Sequence, residues 1–330
     1  MNSVKKKPKL PASFYDKSYL GTAGLVGTML LLYVGGGVLN TYVWLHAALP
    51  LGGKVLVTAP VFLLAGQGMH LMGWIGHDGL HFNLARNRHV STVIGIVFSA
   101  MTVLFVEMGM ALDHWTHHRY TNTSRDPDLA LFETNRTFLS RMLFTRARAN
   151  RLYLRRIVRL AFGLALDAEV SQIVFPFRLA TIRLYARLNL LSVAFWAAVY
   201  LAIFAVDWRI GIIGYVVPTF IGSVVSGLRP YIEHNGTGVE TFYNTRTRTS
   251  GLWTILDFGG NYHLEHHLYP GVPQWRLPRL HRYLKERGLY DAGCHFEATF
   301  LGNYRFAFGD YIYPKGMIPA GAPVPESEMY

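Results

Sequence analysis

Cysteine is almost missing from this chain: Cys294 is the only one in 330 residues. One thiol closes no internal disulfide and cannot by itself build a zinc knuckle or an iron–sulfur cluster. Charge is scarce as well. Asp, Glu, Lys and Arg make up 16% of the residues, against about 25% in a soluble globular chain. Acidic residues are the rarer sign, 20 against 32 Lys and Arg, which leaves a formal net charge of +12. No RNA- or DNA-binding motif accompanies that excess, so no nucleic-acid partner is expected. Cytoplasmic loops of membrane proteins collect Lys and Arg, and anionic headgroups attract them. With so few thiols, any redox metal must be held by histidine, and its electrons must come from another protein.

What the chain has is apolar length. Hydrophobic residues reach 51%. Four segments, roughly 20–43, 55–76, 188–206 and 210–228, are long and apolar enough to span about 30 Å of hydrocarbon. The first begins near Leu20, is too long for a signal-peptide core, and has no small-residue cleavage site. It is read as a membrane span, with Lys5, Lys6, Lys7 and Lys9 held in the cytoplasm. It contains Gly35-Gly36-Gly37, which weakens the helix but permits close packing. Only Asp207-Trp208-Arg209 separates the last two segments, so they form a tight hairpin.

Basic residues set the orientation. The loop between the first two spans carries Lys54 alone, whereas 113–187 carries thirteen arginines. Positive charge stays inside, so the N-terminus, 77–187 and everything after 229 are expected on the cytoplasmic side. A fifth apolar stretch, 91–112, then has to dip into the membrane and return. Arg148, Arg151, Arg155 and Arg159 recur at helical spacing and share one face, expected to lie on anionic lipid or to dock an acidic partner. Pro270, Pro273 and Pro278 break the pattern before a helix at about 276–287. The expected fold is therefore all-α integral membrane: four transmembrane helices, a membrane-dipping segment (91–112) and a cytosolic helical cap. Residues 1–19 form a basic cytosolic N-terminus, 20–298 the membrane domain with its cap, and 299–330 an extended tail rich in Tyr, Gly and Pro.

Fourteen histidines are present, and eight fall in three short clusters. These are His77-x-x-x-His81, His114-x-x-His117-His118 and His263-x-x-His266-His267. Helical spacing of i, i+3 and i+4 puts each set on one face, and all lie on the same predicted side. Two His-x-x-His-His patterns in one chain are a poor coincidence. Structural zinc closes with four ligands, so this many imidazoles suit two ions. Nitrogen donors are compatible with iron, zinc, copper or nickel. Asp78, Glu107, Asp113, Asp126, Asp128, Glu233 and Glu265 border the clusters and are candidates to accept the second N–H of a ligating imidazole. His70, which faces roughly the same way as His77, is expected as a buried polar contact. His46, His89, His281 and His295 are expected to be solvated.

At this point the sequence resembles the membrane fatty acid desaturase family in its wide sense, which includes acetylenases, hydroxylases, carotenoid ketolases and alkene-forming decarboxylases. The resemblance runs from about Val55 to Leu289. It rests on His-Asp-Gly-Leu-His, on His-Trp-Thr-His-His-Arg-Tyr-Thr-Asn followed by Asp126-Pro-Asp128, and on Asn261-Tyr-His-Leu-Glu-His-His-Leu-Tyr-Pro, with a double span before the last box. It implies two iron ions, O2 as co-substrate, a lipid or fatty acyl substrate, and an external electron donor such as ferredoxin or a cytochrome b5-like protein. Acyl carrier protein is a further implied partner, and the implied location is a bacterial inner membrane, with both termini and the active site cytoplasmic. The family uses one more histidine after the last span, a place His234 fills. The implied ligands are therefore His77, His81, His114, His117, His118, His234, His263, His266 and His267. An Asn that can precede that histidine by four residues in acyl-CoA desaturases is Pro230 here, which leaves Asn235 or Asn261 as substitutes. Three residues separate His77 from His81, where stearoyl-CoA-type enzymes have four. This points toward acyl-lipid, carrier-bound or free-acid substrates. Fatty acid desaturation is the expected reaction; hydroxylation, ketolation and oxidative decarboxylation to a terminal alkene use the same boxes. A zinc hydrolase or metal transporter is the rival outside the class, but a transporter would place ionisable ligands at mid-membrane.

Overall fold

The computed structural model describes residues 6–103, 107–166, 175–312 and 314. Helix α1 (Tyr19–Leu30) starts where the Ser18 side chain accepts the Gly21 amide, and it runs through a π turn, Leu31–Gly35, into α2 (Gly36–Leu45). The glycines there are packing sites. A Cβ on Gly36 would lie 3.1 Å from Ala65 Cβ, and one on Gly37 would lie 3.5 Å from the Gly214 carbonyl. The chain returns as α3 (Leu51–Leu80), whose 30 residues make a rod about 45 Å long. Half of its apolar window is buried in protein, so α3 is the central helix.

Helix α4 (Arg88–Ser99), capped by the Asn87 side chain, folds back on α3. Glycine permits this contact on both sides, since a Cβ on Gly79 would lie 2.7 Å from Gly95 Cα. Helix α5 (Glu107–Tyr120) leaves at 116° to the run Arg88–Thr102. Residues 104–106, between them, lie outside the described residues. Asp126 caps α6 (Pro127–Thr134), and Thr137 caps the basic helix α7 (Phe138–Phe162). Gly163, at φ +71°, ends α7 in a conformation that only glycine adopts freely. On α7, Arg148, Arg151 and Arg155 are exposed and Arg159 is half-buried, whereas Arg141 and Arg156 are buried.

Helix α8 (Leu179–Val206) and the short α9 (Trp208–Gly211) meet at Asp207, whose carboxylate accepts the Arg209 amide. A second π turn, Ile212–Val216, leads into α10 (Val217–His234). Only 11% of the α8 window is buried, and side chains such as Leu201 and Val206 point outward, as on a lipid-facing helix. Among the described residues, four helices are long and apolar enough to cross a membrane: Ala12–Leu45, Leu51–Leu80, Leu179–Val206 and Trp208–His234. All four overrun the hydropathy-based spans, and two do so into the histidine site. α3 continues past 76 to carry His77, and α10 continues past 228 to carry Glu233 and His234.

The rest is a layer of short elements: α11 (Gly251–Leu256), α12 (His263–Leu268) and α13 (Leu277–Glu286). The fold is not purely helical. Strand β1 (Arg246–Arg248) pairs in parallel with β2 (His295–Glu297). The tail is not wholly extended either: Gly302–Tyr304 and α14 (Arg305–Phe308) are helical, and Ala307 is fully buried against Leu228 and Ile232. Residues 315–330 lie outside the described residues.

Candidate metal centre

The nine histidines named from sequence come together. α3 delivers His77 near its end and His81 at its cap. α5 delivers His114, His117 and His118, α10 delivers His234, and α12 delivers His263, His266 and His267. They sort into two sets. His77, His81, His114, His118 and His266 can each aim one ring nitrogen at a common point, with all five atoms within 4.8 Å of one another. His117, His234 and His267 form a second such group, and His263 joins it with its Nε2 3.0 Å from His234 Nε2.

The spacing inside the sets is informative. Nε2 of His114 lies 3.0 Å from Nε2 of His81 and 3.0 Å from Nε2 of His118, and His118 Nε2 lies 3.0 Å from His266 Nε2. Imidazoles bound at ~2.1 Å to one ion sit about 3.0 Å apart when at right angles and about 3.4 Å apart in a tetrahedron. Four nitrogens linked at that right-angle spacing, with a fifth donor from His77 within 4.8 Å, exceed a tetrahedral zinc shell and fit an ion that takes five or six ligands. Buried donor atoms are also left over. Nε2 of His77 and Nε2 of His267 are inaccessible and have no hydrogen-bond partner among the described residues, an expensive state without a ligand. The site therefore fits two metal ions of histidine-binding type.

Electrostatics favours ligation in the first set. Burial holds His81, His118 and His266 well below the usual imidazole range, and burial together with the His117 charge holds His114 at about 3. Neutral rings are what a metal requires. His117 differs. Burial opposes its charge, but Asp126 and Asp128 outweigh burial and raise it to about 9. Its Nδ1 donates to Asp126 Oδ1 at 2.9 Å and lies 3.6 Å from Asp128 Oδ2. The same Asp126 accepts the amides of Asn122 and Asp128, so one carboxylate caps α6 and orients a ring on α5. His267 Nδ1 similarly pairs with Thr121 Oγ1 at 3.2 Å.

The other supporting residues read from sequence fare unevenly. Glu233 lies 3.5 Å from His263 Nε2 and takes Arg229 Nε at 2.6 Å. Asp78 stands 3.9 Å from His77 Nδ1 and is engaged by the Gln274 amide and Asn83. Asp113 pairs with Arg156 of α7. Glu107 is buried and accepts from Ser99. Both amides offered as substitutes for Pro230 are engaged elsewhere. Asn235 binds the tail through the Phe306 and Asp310 carbonyls and the Ile312 amide, and Asn261 holds the Arg248 carbonyl and Thr254. Glu265 is engaged outside the two histidine sets. It accepts from Thr247 Oγ1, His281 Nδ1 and Tyr290 OH, each at 2.6 Å. His281 is thus not solvated: it is 9% exposed and braces the third box. No spacing in the sequence pairs His281 with Glu265, because the two sit on separate helices.

His70 is buried among Ser226, Trp74 and Arg229. Sequence reading passed over Arg229, Arg248 and Asp257. The Arg229 guanidinium joins His70, Glu233 and the Gly260 carbonyl, and Asp257 receives Arg229, Arg248 and Gln67. A buried cation inside a span is the one signal that could have marked Arg229.

The sequence model of the fatty acid desaturases matches residues 53–299. The chain belongs to the fatty acid desaturase family. Dihydrorhizobitoxine desaturase of Bradyrhizobium elkanii is 28% identical to it over 65% of this chain and 64% of its own length. Delta(8)-fatty-acid desaturase of Euglena gracilis is 24% identical over 81% of this chain and 67% of its own. Beta-carotene ketolase of a Paracoccus strain is 26% identical over 78% and 90%. This desaturase-family chain thus spans about two thirds of the length of the two desaturases and most of the ketolase. All three matches are to oxidising enzymes, and the three His boxes of this family member are the residues its fold draws together.

Proposed function

We propose that the protein is an O2-dependent di-iron membrane oxidoreductase that attacks an unactivated C–H bond of a fatty acyl chain, with desaturation as its reaction. The observation that carries the reading is the sorting of nine imidazoles, seven buried and two half-buried (His114 and His118), into two adjacent sets, with right-angle spacing running from His81 through His114 and His118 to His266. In the proposed assignment His77, His81, His114, His118 and His266 hold one iron, and His117, His234, His263 and His267 hold the other. Bound iron would supply the oxidising power that acid–base groups lack, since a saturated C–H bond has no acidic proton. The chain's own part is positional. Asp126 fixes the His117 tautomer, Glu233 borders His263, and helices α3, α7 and α10 wall a cavity beside the histidines.

The close approach of His81 and His114 supports the proposal that 91–112 dips into the membrane and returns, because both its flanks end at one centre. The centre, the helical cap and both termini are proposed to lie on the cytoplasmic side of a bacterial inner membrane. A ferredoxin or cytochrome b5-like donor would supply two electrons, and acyl carrier protein remains a proposed partner. The relatives include a ketolase, so hydroxylation, ketolation and decarboxylation are the other outcomes the same site could give.

The test is expression in a lipid-producing host, with lipid and headspace analysis and iron determination on the purified protein. New unsaturation that needs O2 and iron is the expected result. A hydrocarbon one carbon shorter than the acid overturns desaturation but keeps the class. Turnover by zinc-only protein under strict anoxia overturns the class.

A further inference from the structure

The layer behind the third histidine box ends in a charged face. On α13 the apolar residues Leu277, Leu280 and Leu284 are buried in one cluster with Leu264 and Leu268 of α12 and with Phe14 of the N-terminal segment. The opposite face is exposed and carries Arg279, Arg282, Lys285 and Arg287 against one acid, Glu286. Arg279 lies over the Phe14 ring at 5.0 Å and Arg287 over the Tyr283 ring at 4.4 Å. The side chains of Arg282 and Lys285 have no hydrogen-bond or ion-pair partner among the described residues.

Two basic helices are exposed, and they differ in kind. On α7, Leu143, Phe144 and Leu154 are exposed beside Arg148 and Arg151. Cations mixed with outward apolar side chains suit the boundary between headgroups and acyl chains. On α13 no large apolar side chain is exposed, so this helix has nothing to insert into lipid. Its face suits water and a partner of opposite charge.

The face is also close to the centre. His281, on the buried side of α13, meets Glu265 at 2.6 Å, and Glu265 stands between His263 and His266 in α12. One helix diameter, ~10 Å, therefore separates the charged surface from the layer that carries the third box. Desaturation takes two hydrogens from the chain, adds two electrons and two protons from outside, and turns O2 into two waters. A carrier of single electrons must then dock twice in each turnover. Such brief encounters use small interfaces, under about 1,200 Å², and opposite charge hastens them.

We propose that the outer face of α13, centred on Arg282 and Lys285, docks an acidic one-electron carrier protein behind the third histidine box, while the basic face of α7 is left to the membrane. The role of the docked protein rests on the oxidoreductase reading above, but the contact is measured without turnover.

The test uses the full-length protein in phosphatidylcholine nanodiscs, with an acidic plant-type [2Fe–2S] ferredoxin as the probe. Metal-free wild type is expected to bind it at low salt and to lose at least tenfold in affinity at high salt, where exposed charges are screened. Arg282→Glu combined with Lys285→Glu is expected to weaken binding about ten- to a hundredfold, within the range that steering by charge supplies. Arg282→Gln with Lys285→Gln should lose less, and Arg148→Glu with Arg151→Glu should bind as wild type. In iron-loaded enzyme, kcat/KM for the reduced ferredoxin should fall by the same factor in the Arg282→Glu, Lys285→Glu variant, while turnover driven by reduced methyl viologen keeps its wild-type rate. Undiminished binding in that variant, salt-independent binding in wild type, or an equal loss in the α7 variant overturns the proposal. A loss seen only in phosphatidylglycerol discs assigns α13 to lipid and overturns it too, as does loss of viologen-driven turnover alongside ferredoxin-driven turnover, which would make the face structural. A protein that binds the ferredoxin through α13 but never consumes O2 refutes the oxidoreductase reading alone.

Discussion

His281→Ala tests whether the third histidine box is held from behind. Glu265 is fully buried between His263 and His266, and it accepts three hydrogen bonds of 2.6 Å, from His281, Tyr290 and Thr247. Thr247 in turn accepts the Leu264 amide. Helix α12 has only six residues, too few to fix its own rotation, so this carboxylate is its anchor. Removing one donor from a buried carboxylate costs about 1.5–3 kcal/mol. The alanine also gives up ring packing against Tyr290 and Phe296. If that loss is felt as freedom of α12, metal retention should fall about ten- to a hundredfold, as when a group behind a ligating histidine is lost. The assay is iron per polypeptide after washing with graded chelator, beside thermal unfolding. His46→Ala, on an exposed ring at the end of α2, is the control and should match wild type. His281→Asn, which returns a donor, should recover part of the loss. Wild-type iron and wild-type melting in His281→Ala would refute the bracing argument.

Other outcomes follow from the same geometry. His118→Ala and His266→Ala should abolish turnover and lower iron content, and full activity in either refutes the ligand assignment. Asp126→Asn should weaken metal binding about ten- to a hundredfold while the first set still loads; unchanged affinity would detach Asp126 from the centre. His117 is held at about 9 whereas His114 lies near 3. Below pH 9 an ion entering the second set must therefore displace a proton from His117, and one entering the first set need not. Titrating the metal-free protein with a redox-silent divalent ion at pH 7 should release about one proton for the second ion only. Its affinity should rise with pH and level off above about 9, and pH-independent binding of both ions would contradict the assigned charge on His117. Gly95→Ala places a Cβ 2.9 Å from Gly79 Cα. It should destabilise the α3–α4 contact by about 1–3 kcal/mol, seen as a lower melting temperature.

Hydropathy located the four crossings because lipid exposure is a local property of each segment. It missed their ends because the residues that carry α3 to His77 and α10 to His234 are polar groups buried in protein, where helix continues without an apolar pattern. The histidine boxes were legible because helical spacing is itself a geometric statement. Their division into two sets was not, since that depends on how α5 and α12 cross. The groups behind them were legible in part. Asp126 and Glu233 stand close to the rings they serve, whereas Asp113, Glu265, Asn235 and Asn261 border the boxes in sequence and turn elsewhere in space. The Glu265–His281 pair and the Arg229–Asp257 cluster join residues from different elements, so no window along the chain contains them.

The two sets are interleaved on single helices. α5 gives His114 and His118 to one and His117 to the other, and α12 gives His266 to one and His263 and His267 to the other. Occupying one set therefore fixes the rotation of both helices and settles most of the arrangement of its neighbour. Uptake of the second ion should be easier than uptake of the first, with a sigmoidal loading curve and few singly loaded molecules. With iron as the proposed metal, a population short of it would divide into full and empty molecules, so activity would fall in the number of working molecules and not in the quality of each.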